Sequence, residues 1–294
     1  CVPKGIEIRT TIHSSVKDTL SELTESFLLL TGMAKSFGFT PVLVSFNPFS
    51  TAFEPDPPLN VYEVKRRQAS PEKQTAHIPM LTYGPDLSLS VKGLTTEQVI
   101  DVGKKLTHYS PFIVPFSYSS PFYGGTLWSG FSVRTFVRTG ARPAAMVFID
   151  KPEKFLKSSP SLTKRARIPA EVGRIEFKAF DSCGDFSLYG GLLALLKGLV
   201  IDLSLSGRAV VPDAVMHQVS AREGFENNQI FLGAKEIVDA VKTALDQDPD
   251  CELLTPIDKL LKARITPAHR LIEIFHHECS IEKTLQKTYT KFTG

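Results

Sequence analysis

The chain is poor in cysteine. The four cysteines, Cys1, Cys183, Cys251 and Cys279, are scattered over 294 residues. No two of them have the spacing of metal ligands or of a redox pair, so reduced thiols in a cytoplasmic protein are expected. Long apolar runs are lacking as well. The most apolar stretch, Leu192 to Leu205, is broken by Lys197 and Asp202. It is too short and too charged to cross a bilayer and reads as a buried helix, with no membrane partner expected. No cationic, apolar leader follows Cys1, so no signal peptide is expected. Neither charge sign dominates. A net charge of +3 is too mild to indicate nucleic acid as a partner.

Several chemical signatures are also missing. There is no Walker loop, no Gly-rich dinucleotide fingerprint, no His-Glu-x-x-His and no Gly-x-Ser-x-Gly elbow. Gly124-Gly125 with Gly130 reads as a turn. His276-His277-Glu278 falls in a helical region, where neighbouring residues point about 100° apart and make a poor chelate. Phosphate handling would therefore have to rest on side-chain cations and metal-bound carboxylates.

What remains is ordinary globular composition, with 42% hydrophobic and 22% charged residues. No repeat and no composition break divides the chain, so residues 1–294 are expected to form a single domain. Ser15 with Asp18 looks like a helix cap. Val16, Leu20, Leu23, Phe27 and Leu30 then recur at helical spacing, Phe37 continues the stripe and Gly38 stops it. Residues 40–46 read as a short buried strand. Residues 53–58 are Pro-rich and 65–73 basic, together a long surface excursion. Thr95 and Gln98 open a second helix bearing Val99, Val102, Leu106 and Tyr109. Residues 151–169 show no periodicity and read as a solvated loop, with a flap over phosphates as the other reading. From about Phe186 the chain is largely helical. Strands and helices interleaved by short returns predict an α+β architecture: a mainly antiparallel sheet with helices on one face and an open polar face on the other.

The most informative strand is Arg174 to Asp181. At period two it sets Ile175, Phe177 and Ala179 against Arg174, Glu176 and Lys178. A carboxylate between two cations supplies hard oxygen for Mg²⁺ and positive charge for phosphate. A solvated ladder of charges is the alternative reading. Gly5 to Ile12 alternates likewise, with Glu7, Arg9 and Thr11 outward. So does Asp86 to Val91, with Asp86, Ser88 and Ser90 outward. If the three strands share a sheet, Glu7, Asp86 and Glu176 meet on one surface.

These residues bring a family into view. Arg174-Ile175-Glu176-Phe177-Lys178 followed by Asp181-Ser182 resembles the Arg-x-Glu-x-Arg strand of carboxylate–amine ligases, the type-2 glutamate–cysteine ligase group with a glutamine-synthetase-like fold. Gly5-Ile6-Glu7-Ile8 resembles that family's Glu-bearing strand. Ser119-Ser120-Pro121-Phe122 with Gly130-Phe131-Ser132-Val133-Arg134 resembles its Ser-Pro-Phe loop and Gly-x-x-x-Arg. Ala221-Arg222-Glu223-Gly224 resembles its helical Ala-x-Arg-x-Gly. The four motifs stand in the family's order.

The resemblance implies an ATP- and Mg²⁺-dependent ligase in glutathione biosynthesis. Such an enzyme joins a glutamate carboxylate to an amine through an acyl phosphate. It implies metal ligation by Glu7, Asp86 and Glu176, nucleotide contacts from Arg174, Lys178 and Arg222, and catalytic roles for Arg134 and Lys178. Small-molecule substrates fit the same picture; the oligomeric state stays open, with pairing into a homo-oligomer invited by the sheet edge that a missing first strand would leave. The family's Gly-x-Glu-x-Glu strand has no counterpart in this chain, and Asp86-Leu87-Ser88 stands where the family has His-x-His. A non-catalytic binding or assembly subunit is the main alternative. A phosphagen-kinase-like phosphotransferase is a third.

Overall fold

The computed structural model describes residues 5–69, 75, 77–138 and 140–289. The chain folds as a mixed α+β structure, about 53% helical, so the sheet is the smaller partner. Helix α1 (Val16–Ser36) starts where the Ser15 hydroxyl accepts the Asp18 N–H, and it ends before Gly38, whose φ is +77°. Its inner stripe buries Val16 and Phe27, but the stripe stops earlier than its spacing suggests: Phe37 caps the helix and is exposed. The basic excursion is partly ordered. Asn60 and Glu63 form a reciprocal capping box that starts α2 (Val61–Gln68). Residues 70–73 of that basic stretch lie outside the described residues. A single turn, α3 (Ile78–Leu81), precedes β1 (Leu87–Leu89).

The second cap forms as its sequence indicates. Thr95 and Gln98 satisfy one another's backbone donors and open α4 (Thr96–Ile113), which buries Val99, Val102, Leu106 and Tyr109. The hairpin of β2 (Phe122–Tyr123) and β3 (Thr126–Leu127) turns at Gly124 and Gly125. Both have positive φ, which a two-residue turn of this hand requires. Then follow α5 (Val133–Arg138), β4 (Ala145–Ile149), β5 (Thr163–Arg165) and β6 (Ile175–Phe177).

The main sheet has the order β1-β6-β4-β5. Strand β6 pairs antiparallel with both neighbours, whereas β4 and β5 run parallel. The sheet is therefore mixed, with two antiparallel ladders and one parallel ladder, against the expectation of a mainly antiparallel sheet. Strand β5 arises inside residues 151–169, the stretch expected to be an unstructured loop; Thr163-Lys164-Arg165 is too short to display a period.

Two expected strands do not form. Residues 5–12 carry no regular secondary structure, no ladder pairs them among the described residues, and Ile6 and Ile12 are 75% and 93% exposed. Alternation alone cannot make a strand when neither a neighbour for its N–H and C=O groups nor an apolar layer for its side chains is at hand. Residues 40–46 carry only an isolated bridge from Phe46 to Thr82.

The inner sheet face, with Leu87, Ile175, Phe177, Ala145 and Val147, packs on α4. Beyond it lies α6 (Phe186–Ile201), the buried helix anticipated from the apolar run. Leu192, Leu195, Leu196 and Leu199 are fully buried in it, each contributing about 1.5–3 kcal/mol of burial free energy. Gly198 lets α6 approach the helix α8 (Asn228–Ala244): a Cβ there would lie 2.4 Å from Val241 Cγ1. Helices α7 (Ala214–Glu223), α9 (Thr255–Ala263), α10 (Pro267–Glu278) and α11 (Ile281–Tyr289) complete the helical C-terminal third. No helix among the described residues is long and apolar enough to cross a membrane.

Candidate functional site

Alternation along β6 fixes the site. Ile175 and Phe177 point into the core with no exposed surface, so Arg174, Glu176 and Lys178 must take the other face. Register then selects their neighbours. Glu176 stands opposite Ser88 of β1 on one side and Met146 of β4 on the other. Lys178 Nζ donates to Asp86 Oδ2 at 2.6 Å and lies 3.3 Å from Glu176 Oε2. Arg174 Nη1 lies 3.9 Å from Glu176 Oε1, and its Nη2 lies 3.4 Å from Glu171 Oε1. The same guanidinium sits 3.9 Å above the Phe148 ring centre, a stacking that fixes its plane. Glu176 is 7% exposed, whereas Asp86 lies at the rim.

Glu7 reaches this neighbourhood although its segment is not a strand. It pairs with Arg9 at 2.9 Å. That contact holds the Arg9 guanidinium pKa above its ordinary value, and the Asp86 and Glu176 carboxylates push it in the same direction. All three carboxylates thus act on the Arg9 guanidinium.

The arrangement is an acid–base mosaic. Among the described residues no three His, Cys, Asp or Glu side chains gather closely enough to enclose an ion. The donor chemistry still suits Mg²⁺ in its usual nucleotide-bound mode, which takes one or two protein carboxylates and fills the rest of its shell with water and phosphate oxygens. Asp86 and Glu176 flank one cationic position, held here by the Lys178 ammonium.

Arg134 stands elsewhere. It is 3% exposed, on α5. Nη1 donates to Ala179 O and Nη2 to Lys178 O, both at 2.9 Å, and Nη1 lies 3.8 Å from Asp181 Oδ1. Burial lowers its pKa, against the pull of Asp181. Gly84 lies directly over this guanidinium; a Cβ there would sit 2.3 Å from Nη2 and 2.7 Å from Phe180 O. The contacts of Arg134 clamp the chain leaving β6. Arg222, at the end of α7, is exposed. It donates to Ser129 Oγ at 3.0 Å and lies over Trp128 and Phe136. No described contact joins it to the Glu176 group.

Sequence reasoning noticed Asp181 only as part of a motif and missed its position at the centre of a buried polar network. Its carboxylate accepts from the Ser119 N–H at 3.0 Å, the Ser120 hydroxyl at 2.7 Å and the Ser132 hydroxyl at 3.0 Å. The Asp181 N–H donates to Ser117 Oγ, and Ser45 bridges to Ser119 and Ser182. Burial raises the Asp181 pKa; Arg134 and these donors oppose the rise. The Ser-Pro-Phe loop, the Gly-x-x-x-Arg segment and the end of β6 therefore meet at one carboxylate. The signal available beforehand was the run of serines at 117, 119, 120 and 132, which have no apolar period and need buried partners.

No protein-family model matches this chain, and a search of curated proteins finds no relative.

Proposed function

We propose that the chain is an ATP- and Mg²⁺-dependent carboxylate–amine ligase of the glutamate–cysteine type, with a glutamine-synthetase-like fold and glutamate and an amine as substrates. The observation that carries this reading is the β6 face, where Glu176 stands between Arg174 and Lys178, with Ser88 on the neighbouring strand and Asp86 just before it. A surface that transfers a phosphoryl group needs fixed cations for its oxygens and hard anionic oxygens for the metal, in alternation. Asp86 and Glu176 would hold Mg²⁺, with Glu7 nearby. Bound there, the ion would supply charge neutralisation for the phosphates.

Lys178 is placed to exchange its two carboxylate partners for phosphate oxygens. Its ammonium is a mobile point charge on a flexible stem. Arg174 is less mobile, because Phe148 and Glu171 hold its plane. It would orient an anionic group rather than follow it. Arg134 would act through position: its bonds to the carbonyls of Lys178 and Ala179 fix where the Lys178 side chain starts. Arg222 would reach the nucleotide only from its own cluster with Trp128 and Phe136.

The test is ADP release with glutamate and a panel of amines, comparing the chain with Glu176→Gln. Metal-dependent release that falls in the variant supports the reading; equal turnover in both removes Glu176 from the mechanism. A second reading, a non-catalytic binding subunit, is favoured by one observation: among the described residues the carboxylates are paired with cations rather than gathered as a three-ligand set. Mg-ATP binding without turnover for any amine would favour it.

A further inference from the structure

Helix α1 has a second apolar side that the core does not use. Its inner side packs on α6: the Phe27 ring stands 5.3 Å from that of Phe186, and a Cβ at Gly190 would lie 2.8 Å from Leu20 Cδ1. Leu29 follows Phe27 by two positions, about 200° round the helix, and so faces away from α6. Met33 and Phe37 continue from Leu29 at intervals of four. Gly38 then turns the chain back, and the Phe39 N–H bonds to Ala34 O at 3.0 Å, which holds another apolar side chain at the same helix end. Leu28, Leu29, Met33, Phe37 and Phe39 are between 48% and 74% exposed.

The described chain covers only the start of this side. Thr11 and His13 bond to Glu22, two turns before Leu29. Beyond Glu22 the five side chains offer roughly 600 Å² of apolar surface, the upper end of what a monomer displays. Each partner of a standard interface buries about 800 Å², so this patch with a polar rim is large enough for one. Gly32 indicates what kind of partner fits. It sits inside the helix between Leu29 and Met33, and a Cβ there would meet nothing within 4 Å. Glycine weakens a helix interior relative to alanine, and no described residue of the protomer uses the missing side chain. A second helix crossing at this notch would use it, because the side chains at the contact set how closely two helices approach.

We infer that the outer side of α1 is a homodimer interface, covered by the α1 helix of a second copy of this chain running antiparallel. The pattern is self-complementary. Positions 25, 29, 32 and 36 recur at intervals of four, three and four, the spacing of a helix–helix seam. A two-fold axis between positions 30 and 31 sets Leu29 of each copy into the Gly32 notch of the other, and the contact occurs twice, as an isologous interface requires. Leu28 and Met33 flank the seam on its two sides. The antiparallel run also brings Phe37 of each copy toward the Glu22 end of the other, where the exposed Ile12 stands between Thr11 and His13. The contact lies on a helix rather than on a sheet edge, and it is independent of the ligase reading.

Sedimentation velocity of the full chain, over a concentration series reaching roughly 200 μM, tests this. The expected result is a reversible monomer–dimer equilibrium whose dissociation constant rises at least about tenfold in Leu29→Glu and in Gly32→Leu. The second variant separates a fitted seam from a merely adhesive surface. It adds apolar area in open space, so a surface that only sticks would associate more tightly, whereas a filled notch holds the two helices apart. Circular dichroism checks that both variants fold. If Leu29→Glu does not, Gly32→Leu carries the test, because its side chain enters empty space. A monomer at every concentration assigns this side of α1 to another occupant and overturns the inference. Association that is unchanged or tighter in Gly32→Leu overturns it as well.

Discussion

Replacing Asp181 with Ala removes the acceptor on which three segments converge. The fully buried carboxylate accepts from Ser119, Ser120 and Ser132 and faces Arg134 at 3.8 Å. The two serine hydroxyls can rotate toward other acceptors, but the Ser119 N–H cannot, and leaving it unpaired costs about 1–3 kcal/mol. Stranding a buried guanidinium costs about 3–5 kcal/mol. Arg134 keeps its two carbonyl partners, which places that second figure at the lower end of its range. A loss of about 4–6 kcal/mol is expected, a large part of a typical domain's 5–15 kcal/mol. At roughly 2–4 °C per kcal/mol the melting temperature should fall by at least about 8 °C. Urea unfolding followed by circular dichroism measures the loss. Arg134→Met and the double variant complete a cycle in which the paired losses should be smaller than additive by about 1–3 kcal/mol. A cost below about 1 kcal/mol for Asp181→Ala, or strict additivity, would refute the claim that this pair pins the loop to β6.

Two further outcomes follow from the same packing. His217 is neutral in the fold, its pKa lowered by burial from 6.5 to about 4. Between those values the unfolded chain binds a proton that the folded chain does not, so acidification favours unfolding. The contribution is intact above about pH 6.5 and is lost progressively toward pH 4, by up to about 3 kcal/mol. Urea midpoints measured from pH 7 to 4.5 should fall less steeply in His217→Gln; parallel curves would contradict this assignment. Gly84→Ala places a methyl group against Arg134 and against the Phe180 carbonyl, which is backbone and cannot swing away. A loss of about 1–3 kcal/mol is expected in the same urea assay, and an unchanged midpoint would contradict the close approach.

Helix caps and apolar stripes were legible in the sequence because their information is local. Ser15 with Asp18, and Thr95 with Gln98, satisfy donors three residues away, and Leu106 is buried because its helical neighbours are. The face of β6 was legible for the same reason, since Ile175 and Phe177 decide where Glu176 points. Pairing was not. The same period appears at residues 5–12 and 174–178, yet only the second segment finds strands on both sides. Strand β5 was invisible because three residues, Thr163 to Arg165, are too few to carry a pattern. Arg134 was readable as important from its motif, but the hydrogen bonds that bury it come from residues 178 and 179, some 45 positions away. The Asp181 network escaped notice because its donors are distributed over residues 45 to 132 and meet only in three dimensions.

The most direct test of the central claim is calorimetric titration of Mg-ATP into the wild type and into Glu176→Gln and Lys178→Met, with and without the metal. A β6 face that grips metal-bound nucleotide predicts saturable, metal-dependent binding to the wild type, weakened at least about tenfold in each variant. Binding that is absent from the wild type, indifferent to the metal, or equal in all three proteins would contradict it.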